Sequence, residues 1–292
     1  MATRPAFING AIKQNAKAKQ MKLDLGAAWN EAVAMMSANK EVLLVLGGIF
    51  FLLPAMLMAF LIPAMPQDPI QTMADVERLG EQVQAIYADW WWLYLLAIVI
   101  QMVGYLAILA LLRDGRRPSV GEAIGDGAKA LLPAIATYLL FTIGLSLVLA
   151  LLLALTAATG GIAAIVTVPL MVIGTIYLAV KVSLSAPVIA VEKVRNPFTV
   201  LARSWKLTKG NSLRLFIFFL LIMIVYIVIS LILSMIMALL GALMGAETGA
   251  ILVAFFSSLV GAVFTIVMIA AIAAAHRQLA GPSEPRIAET FD

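Results

Sequence analysis

Six stretches of about twenty mainly apolar residues constrain this chain more than any other feature. They are Val42–Ile62, Trp91–Leu112, Ala134–Ala157, Ile162–Val180, Leu215–Leu240 and Ala250–Ala275. A helix needs ~20 such residues to cross the hydrocarbon layer of a bilayer. Across the whole chain 63% of residues are hydrophobic and 12% charged, with mean hydropathy +1.03. Soluble domains are roughly 45–50% apolar and about 25% charged. Backbone polar groups in hydrocarbon must be satisfied within the segment, so runs of this length read as helices. The expected fold is all-α, a polytopic membrane protein with six transmembrane helices. The absence of cysteine excludes disulfides, thiolate metal ligands and cysteine nucleophiles.

Charge placement sets the sidedness. With six alternating spans, 19 of the 20 Lys and Arg residues fall on one side, and Arg78 alone lies on the other. The loop around Arg78 also carries Asp68, Asp75, Glu77, Glu81 and Asp89. The positive-inside rule then places both termini in the cytoplasm. The start, MATRPAFINGAIKQNAKAKQMK, has no apolar core of signal-peptide length before Leu23 and reads as a retained cytoplasmic arm. It is either an unanchored tail or an arm that meets anionic lipid through Lys13, Lys17, Lys19 and Lys22, at about 1 kcal/mol per basic residue. On the opposite side, Trp90, Trp91 and Trp92 open the second span and read as an aromatic belt, since indole rings prefer the headgroup level. Met73, Val76, Val83 and Ile86 alternate with acids between Gln71 and Tyr87, which predicts a short amphipathic helix on the outer surface.

The links TAATGG and AETG make tight turns, so the third and fourth spans form one hairpin and the fifth and sixth another. A short surface helix precedes each membrane hairpin. In NPFTVLARSWKLTKGN, Asn196 caps, Pro197 suits the first turn and Gly210 terminates. Val200, Leu201 and Trp205 share one face, with Arg203, Lys206 and Lys209 largely off it. A basic amphipathic helix of this kind lies in the membrane interface. In LDLGAAWNEAVAMM, Asp24 caps, and Leu25, Ala28, Trp29, Ala32, Val33 and Met36 keep the helical rhythm. In PSVGEAIGDGAKALLP, Ser119 and Glu122 form a capping box and Pro133 ends the helix, with Gly125 and Gly127 weakening it by roughly 1 kcal/mol each. Aligned on their caps, Trp29, Ile124 and Leu201 coincide, as do Asn39 and Asn211. The expected organisation is a basic arm (1–22), three units of interfacial helix plus hairpin (23–112 with an outer loop 63–89, 113–192, 193–275) and a tail (276–292). The surface helices serve as topology anchors or as contacts for anionic headgroups.

No catalytic constellation is legible. His276 is the one histidine and reads as a helix-end residue beside Arg277; no second His and no Cys exist to complete a metal site. Asp114, Glu122, Asp126 and Glu192 could converge on the inner face, without the spacing of an ion-binding loop. The spans carry neutral polar residues, among them Gln101, Thr137, Ser146, Ser230, Ser257 and Thr265, while Lys181 snorkels from the end of the fourth. Lack of charge at membrane depth argues against ion-coupled transport. Pro54 and Pro169 bend their spans, and Gly241 and Gly245 form a small-xxx-small pair for close packing.

The stretch NPFTVLARSWKLTKGN, with SAPVIAVEK upstream and LRLFIFFLL downstream, resembles the bacterial glycerophosphoryl diester phosphodiesterase membrane-domain family, most sharply over residues 185 to 220. Some members of that family join the membrane module to a soluble phosphodiesterase barrel; the longest non-spanning stretch here is far short of one. The resemblance implies a stand-alone bacterial inner-membrane module and brings no catalytic residues. The expected function is a non-catalytic, lipid-interacting scaffold or accessory module that uses no cofactor and no metal. It would contact headgroups through Arg113, Arg116, Arg117, Arg203, Lys206, Lys209 and Arg214, with Trp29, Trp90, Trp91, Trp92 and Trp205 as interfacial anchors. Its partners would be the phospholipid bilayer and anionic headgroups, with other membrane subunits or further copies of the chain, and no nucleic acid. The alternative is a transporter for a lipid or other amphiphile, which a groove lined by Gln101, Thr137 and Ser146 would favour; an intramembrane enzyme ranks third.

Overall fold

The computed structural model describes residues 22–63, 69–113 and 119–281. The N-terminal arm up to Met21, Arg116 and Arg117, Asp114 and the C-terminal tail from Pro282 lie outside the described residues. Each apolar run closes its backbone hydrogen bonds internally as a helix, and there is no strand among the described residues. In chain order the helices are α1 (Leu25–Ala38), α2 (Lys40–Leu61), α3 (Met73–Leu111), α4 (Val120–Ala158), α5 (Ala164–Val182), α6 (Ser185–Ala190), α7 (Pro197–Thr208), α8 (Ser212–Met244) and α9 (Ala246–Ala280). Six of them, α2, α3, α4, α8, α9 and the α5–α6 segment, are long and apolar enough to span a bilayer. The chain is an all-α polytopic membrane protein.

Local chemistry sets most of the boundaries. The Asp24 carboxylate accepts from the Ala27 amide at 2.9 Å, and the Asn196 side chain accepts from Phe198 and Thr199 at 3.0 and 3.2 Å. Ser119 with Glu122, and Thr72 with Asp75, close reciprocal capping boxes. Tight turns fall where glycine allows a left-handed backbone: Gly160 and Gly161 (φ 61° and 91°) between α4 and α5, and Gly245 (φ 90°) between α8 and α9. Gly245 is therefore the turn, not half of a packing pair. The close approach is made instead by Gly241 with Gly249, whose backbones leave no room for a Cβ on either.

Two expected surface helices are not separate elements. The outer stretch 71–87 forms the first turns of α3, launched by the Thr72 cap and continuing through Gly80, with no proline, to the tryptophans. At 39 residues α3 is ~58 Å long and overreaches the hydrocarbon layer. The stretch 119–133 likewise runs on through Pro133 into α4. Proline cannot donate to the carbonyl four residues back, so the Lys129 carbonyl is free. It accepts instead from Arg195 Nη1 at 2.8 Å. A guanidinium from the α6–α7 link thus replaces the lost helix bond. Only α1 and α7 stand apart as short helices ahead of a span.

In α2 the chain passes through a π-helical turn, Gly48–Leu52, just before Pro54. The Leu53 amide bonds to the Gly48 carbonyl, five residues back, and the wider turn relieves the clash the Pro54 ring would make in a tight α-helix. Phe50 in this turn packs on Gly104 of α3, where a Cβ would lie 2.2 Å from it.

Burial is uneven along the bundle. The residues fully withdrawn from solvent and lipid lie toward the end where α1 and α7 sit, here called the basic end: Leu23, Leu46, Leu106, Leu184, Val200 and Ile269 among them. Toward the far end burial falls, and no residue in the most apolar window of α4 is buried. Exposed leucines such as Leu147, Leu151, Leu231 and Leu239 carry no penalty there, because lipid tails are as apolar as a protein core.

Candidate functional site

At the basic end a layer of polar contacts ties together segments far apart in sequence. Its hub is Glu192, in the link between α6 and α7. Arg203 on α7 grips the carboxylate with two nitrogens, Nε at 2.9 and 3.2 Å and Nη2 at 3.1 Å. From α9, His276 Nε2 reaches the same carboxylate at 3.0 Å. An ionised carboxylate only accepts, so Nε2 carries the proton and donates. Burial pushes the Glu192 carboxyl up, but the hydrogen bonds from His276 and Arg203 and the charge of Arg203 outweigh it and hold it below the usual glutamate range. Lys193, the next residue, takes a left-handed φ of 57° to deliver Glu192 into this position.

Further contacts knit the layer. Arg277 pairs with Glu31 at 3.0 Å, fastening α9 to α1. Arg214 at the start of α8 donates to the Leu23 carbonyl at 2.9 Å, and the Leu23 amide donates to the buried side chain of Asn211 at 2.8 Å. Asp24 and Gln278 bond through backbone and amide at 3.1 Å. The Ser204 hydroxyl donates to the Lys181 carbonyl at 2.7 Å, joining α7 to α5. Lys181, only 3% exposed, lies with Nζ 5.4 Å from the centre of the Tyr177 ring and 5.2 Å from that of Trp205. Its charge is met by the two ring faces.

The expected headgroup contacts divide accordingly. Arg203 and Arg214 are engaged by Glu192 and Leu23. Arg113 is half-buried, while Lys206 and Lys209 are exposed. Neither lysine makes an ion pair among the described residues. The face of α7 turned to the bundle is Val200, Ser204, Leu207 and Thr208; of the expected apolar face Val200, Leu201 and Trp205, only Val200 is buried, while Phe198 and Trp205 point outward at 70% and 43% exposure. Trp29 is 41% exposed on α1, whose inward face is Ala28, Ala32 and Met35. At the other end Trp91 and Trp92 are exposed, and the Trp92 and Trp90 rings stack at 6.4 Å. Among the described residues no three His, Asp or Glu gather as a metal site. Glu192 and His276 escaped the sequence reading as a pair because 84 residues separate them.

A second feature lies deeper. Two adjoining cavities, of about 380 and 280 Å³, open between α2, α3, α8 and α9 and share Tyr226 and Ser257 in their walls. Gln101 lines the larger one. Thr137 and Ser146 do not: the Thr137 hydroxyl bonds back to the Pro133 carbonyl at 2.7 Å, and Ser146 is exposed on α4. Comparisons with protein-family models, with curated proteins and with solved structures find no match to this chain.

Proposed function

We propose that the chain is a non-catalytic module of the bacterial inner membrane, both termini cytoplasmic, that engages anionic phospholipid and acts as a scaffold or accessory subunit. The observation that carries this reading is the outward edge of α7. Lys206 stands exposed next to Trp205, and Lys209 exposed near it, at one end of the helix; Phe198 is exposed at the other end, and the neighbouring Arg203 is spent on Glu192. Exposed cations next to exposed aromatics at a membrane interface match anionic headgroups above lipid tails. The resemblance of residues 185 to 220 to the glycerophosphoryl diester phosphodiesterase membrane-domain family supports the same reading, since this stretch builds the polar layer described above. Transport of an amphiphile is the second reading. The cavities between the spans favour it.

The test replaces Lys206 and Lys209 by Gln and leaves Arg203 in place, so that the ion-paired layer is kept. Each lysine near the surface contributes about 1 kcal/mol, roughly fivefold in preference for anionic over zwitterionic lipid. Phosphatidylglycerol co-purifying per protein, measured by mass spectrometry, should fall severalfold. Unchanged anionic lipid content in the double variant would refute the reading.

A further inference from the structure

Hydroxyls inside the spans mostly satisfy themselves. Thr142, Thr156, Thr265 and Ser234 each bond back to a carbonyl of their own helix, as a hydroxyl in hydrocarbon is expected to do. Thr265 and Ser234 stand in the walls of the adjoining cavities and keep this pattern, but other wall residues depart from it. Ser230 Oγ is buried and makes no hydrogen bond. The Gln101 carboxamide and the hydroxyls of Tyr226, Ser257 and Ser258 also make none among the described residues. Five neutral polar side chains from α3, α8 and α9 therefore line the two adjoining cavities without a hydrogen bond among the described residues, Ser230 Oγ buried and Ser257 exposed.

Their depth matters. Gln101 lies ten residues before the end of α3 at Leu111, about 15 Å along the helix. Ser258 lies nineteen residues before Arg277 on α9, about 28 Å. The cleft thus runs from about 15 to about 28 Å along the spans from the basic end. A buried polar group left unpartnered within hydrocarbon costs several kcal/mol, and Ser230 Oγ is one; with four further unbonded polar groups in the adjoining walls, the space suits a polar guest. No charged side chain lines the space, and an ionic head would enter it without a counter-charge. Much of the remaining wall is apolar, with Leu231 and Met237 on α8 and Val260 on α9, and Leu231 continues to the exposed surface of α8.

We infer that this cleft binds an uncharged amphiphile whose head both donates and accepts hydrogen bonds, of the diacylglycerol class: hydroxyl and ester groups on Gln101, Tyr226 and the serines, acyl chains leaving along α8. The inference is independent of the headgroup reading at α7.

The experiment uses the full chain in phosphatidylcholine nanodiscs with diacylglycerol carrying a diazirine in its acyl chain. Illumination should label peptides of α8 and α9 around the cleft, saturably, with competition by unlabelled diacylglycerol and none by phosphatidylglycerol. Gln101→Leu should reduce labelling about tenfold and at the same time raise the unfolding temperature, because it removes an unpartnered amide from hydrocarbon. Ser257→Ala with Ser258→Ala should shift both readings in the same directions. Lys206→Gln with Lys209→Gln should leave labelling unchanged, which separates this site from the one at α7. Equal labelling by a diazirine phosphatidylglycerol, undiminished labelling of the Gln101 variant, or a Gln101 variant less stable than the parent would each overturn the inference. Labelling that does not saturate would mean that the cleft holds water only, and would overturn it too.

Discussion

Two glycines one half-turn apart in α4 should respond to the same substitution with opposite sign. Both weaken a helix equally as local chemistry, and replacing either by Ala gains about 1 kcal/mol in propensity. Their surroundings differ. A Cβ on Gly125 meets nothing within 4 Å. A Cβ on Gly127 meets the Val103 carbonyl oxygen at 2.7 Å, the Ala107 nitrogen at 2.8 Å and the Ala107 Cβ at 3.0 Å, all on α3. Two of these are backbone atoms that no rotamer change can move, so α3 and α4 must part by several tenths of an ångström. Overpacking of this kind costs about 1–3 kcal/mol, and the buried neighbours Leu106, Ala107 and Ala123 are drawn into the adjustment. Gly125→Ala should stabilise by about 1 kcal/mol. Gly127→Ala should come out between neutral and about 2 kcal/mol destabilised, once its helix gain is set against the clash. Because that gain is common to both, the difference between the variants isolates the helix–helix contact at about 1–3 kcal/mol. Reversible unfolding in detergent micelles, followed by circular dichroism, measures both. A Gly127→Ala protein as stable as Gly125→Ala would refute the close crossing of α3 and α4 at this point.

Two further predictions test the polar layer. Arg195→Met should cost about 1 kcal/mol, below the ~1.5–3 usual for a charged hydrogen bond because Arg195 is exposed. In a Pro133→Ala background the Lys129 carbonyl regains its helix partner, so the same change should then cost close to nothing; equal costs in the two backgrounds would break the link between Pro133 and Arg195. Glu192 has a lowered native pKa, so its contribution is present at neutral pH, above the ordinary glutamate value, and fades as the pH falls through the native one. Glu192→Gln should lose about 1–2 kcal/mol at pH 7, less than the ~3–5 of a fully buried pair because the side chains of Glu192 and Arg203 are 21% and 35% exposed. It should also flatten the acid limb of stability against pH, and an unchanged limb would show that another carboxylate governs it.

Composition and periodicity alone made the six spans, the tight turns and the caps at Asp24, Ser119 and Asn196 legible, because each rests on residues within a few positions of one another: a run long enough to cross hydrocarbon, a side chain beside the amides it bonds, a glycine in a turn. What lay beyond that reach were pairings across the bundle. Pro133 looked like a helix end because the guanidinium that repairs it comes from 66 positions away. Gly245 looked like a packing residue because nothing local distinguishes a turn glycine from a contact glycine. Arg203 looked free for lipid because its hold on Glu192 depends on the turn at Lys193, and His276 looked solitary because its partner arrives from another helix. The cleft was least visible of all. A serine that bonds back to its own helix and one that faces a shared space read alike in a linear chain, and which is which follows only from how α3, α8 and α9 come together around them.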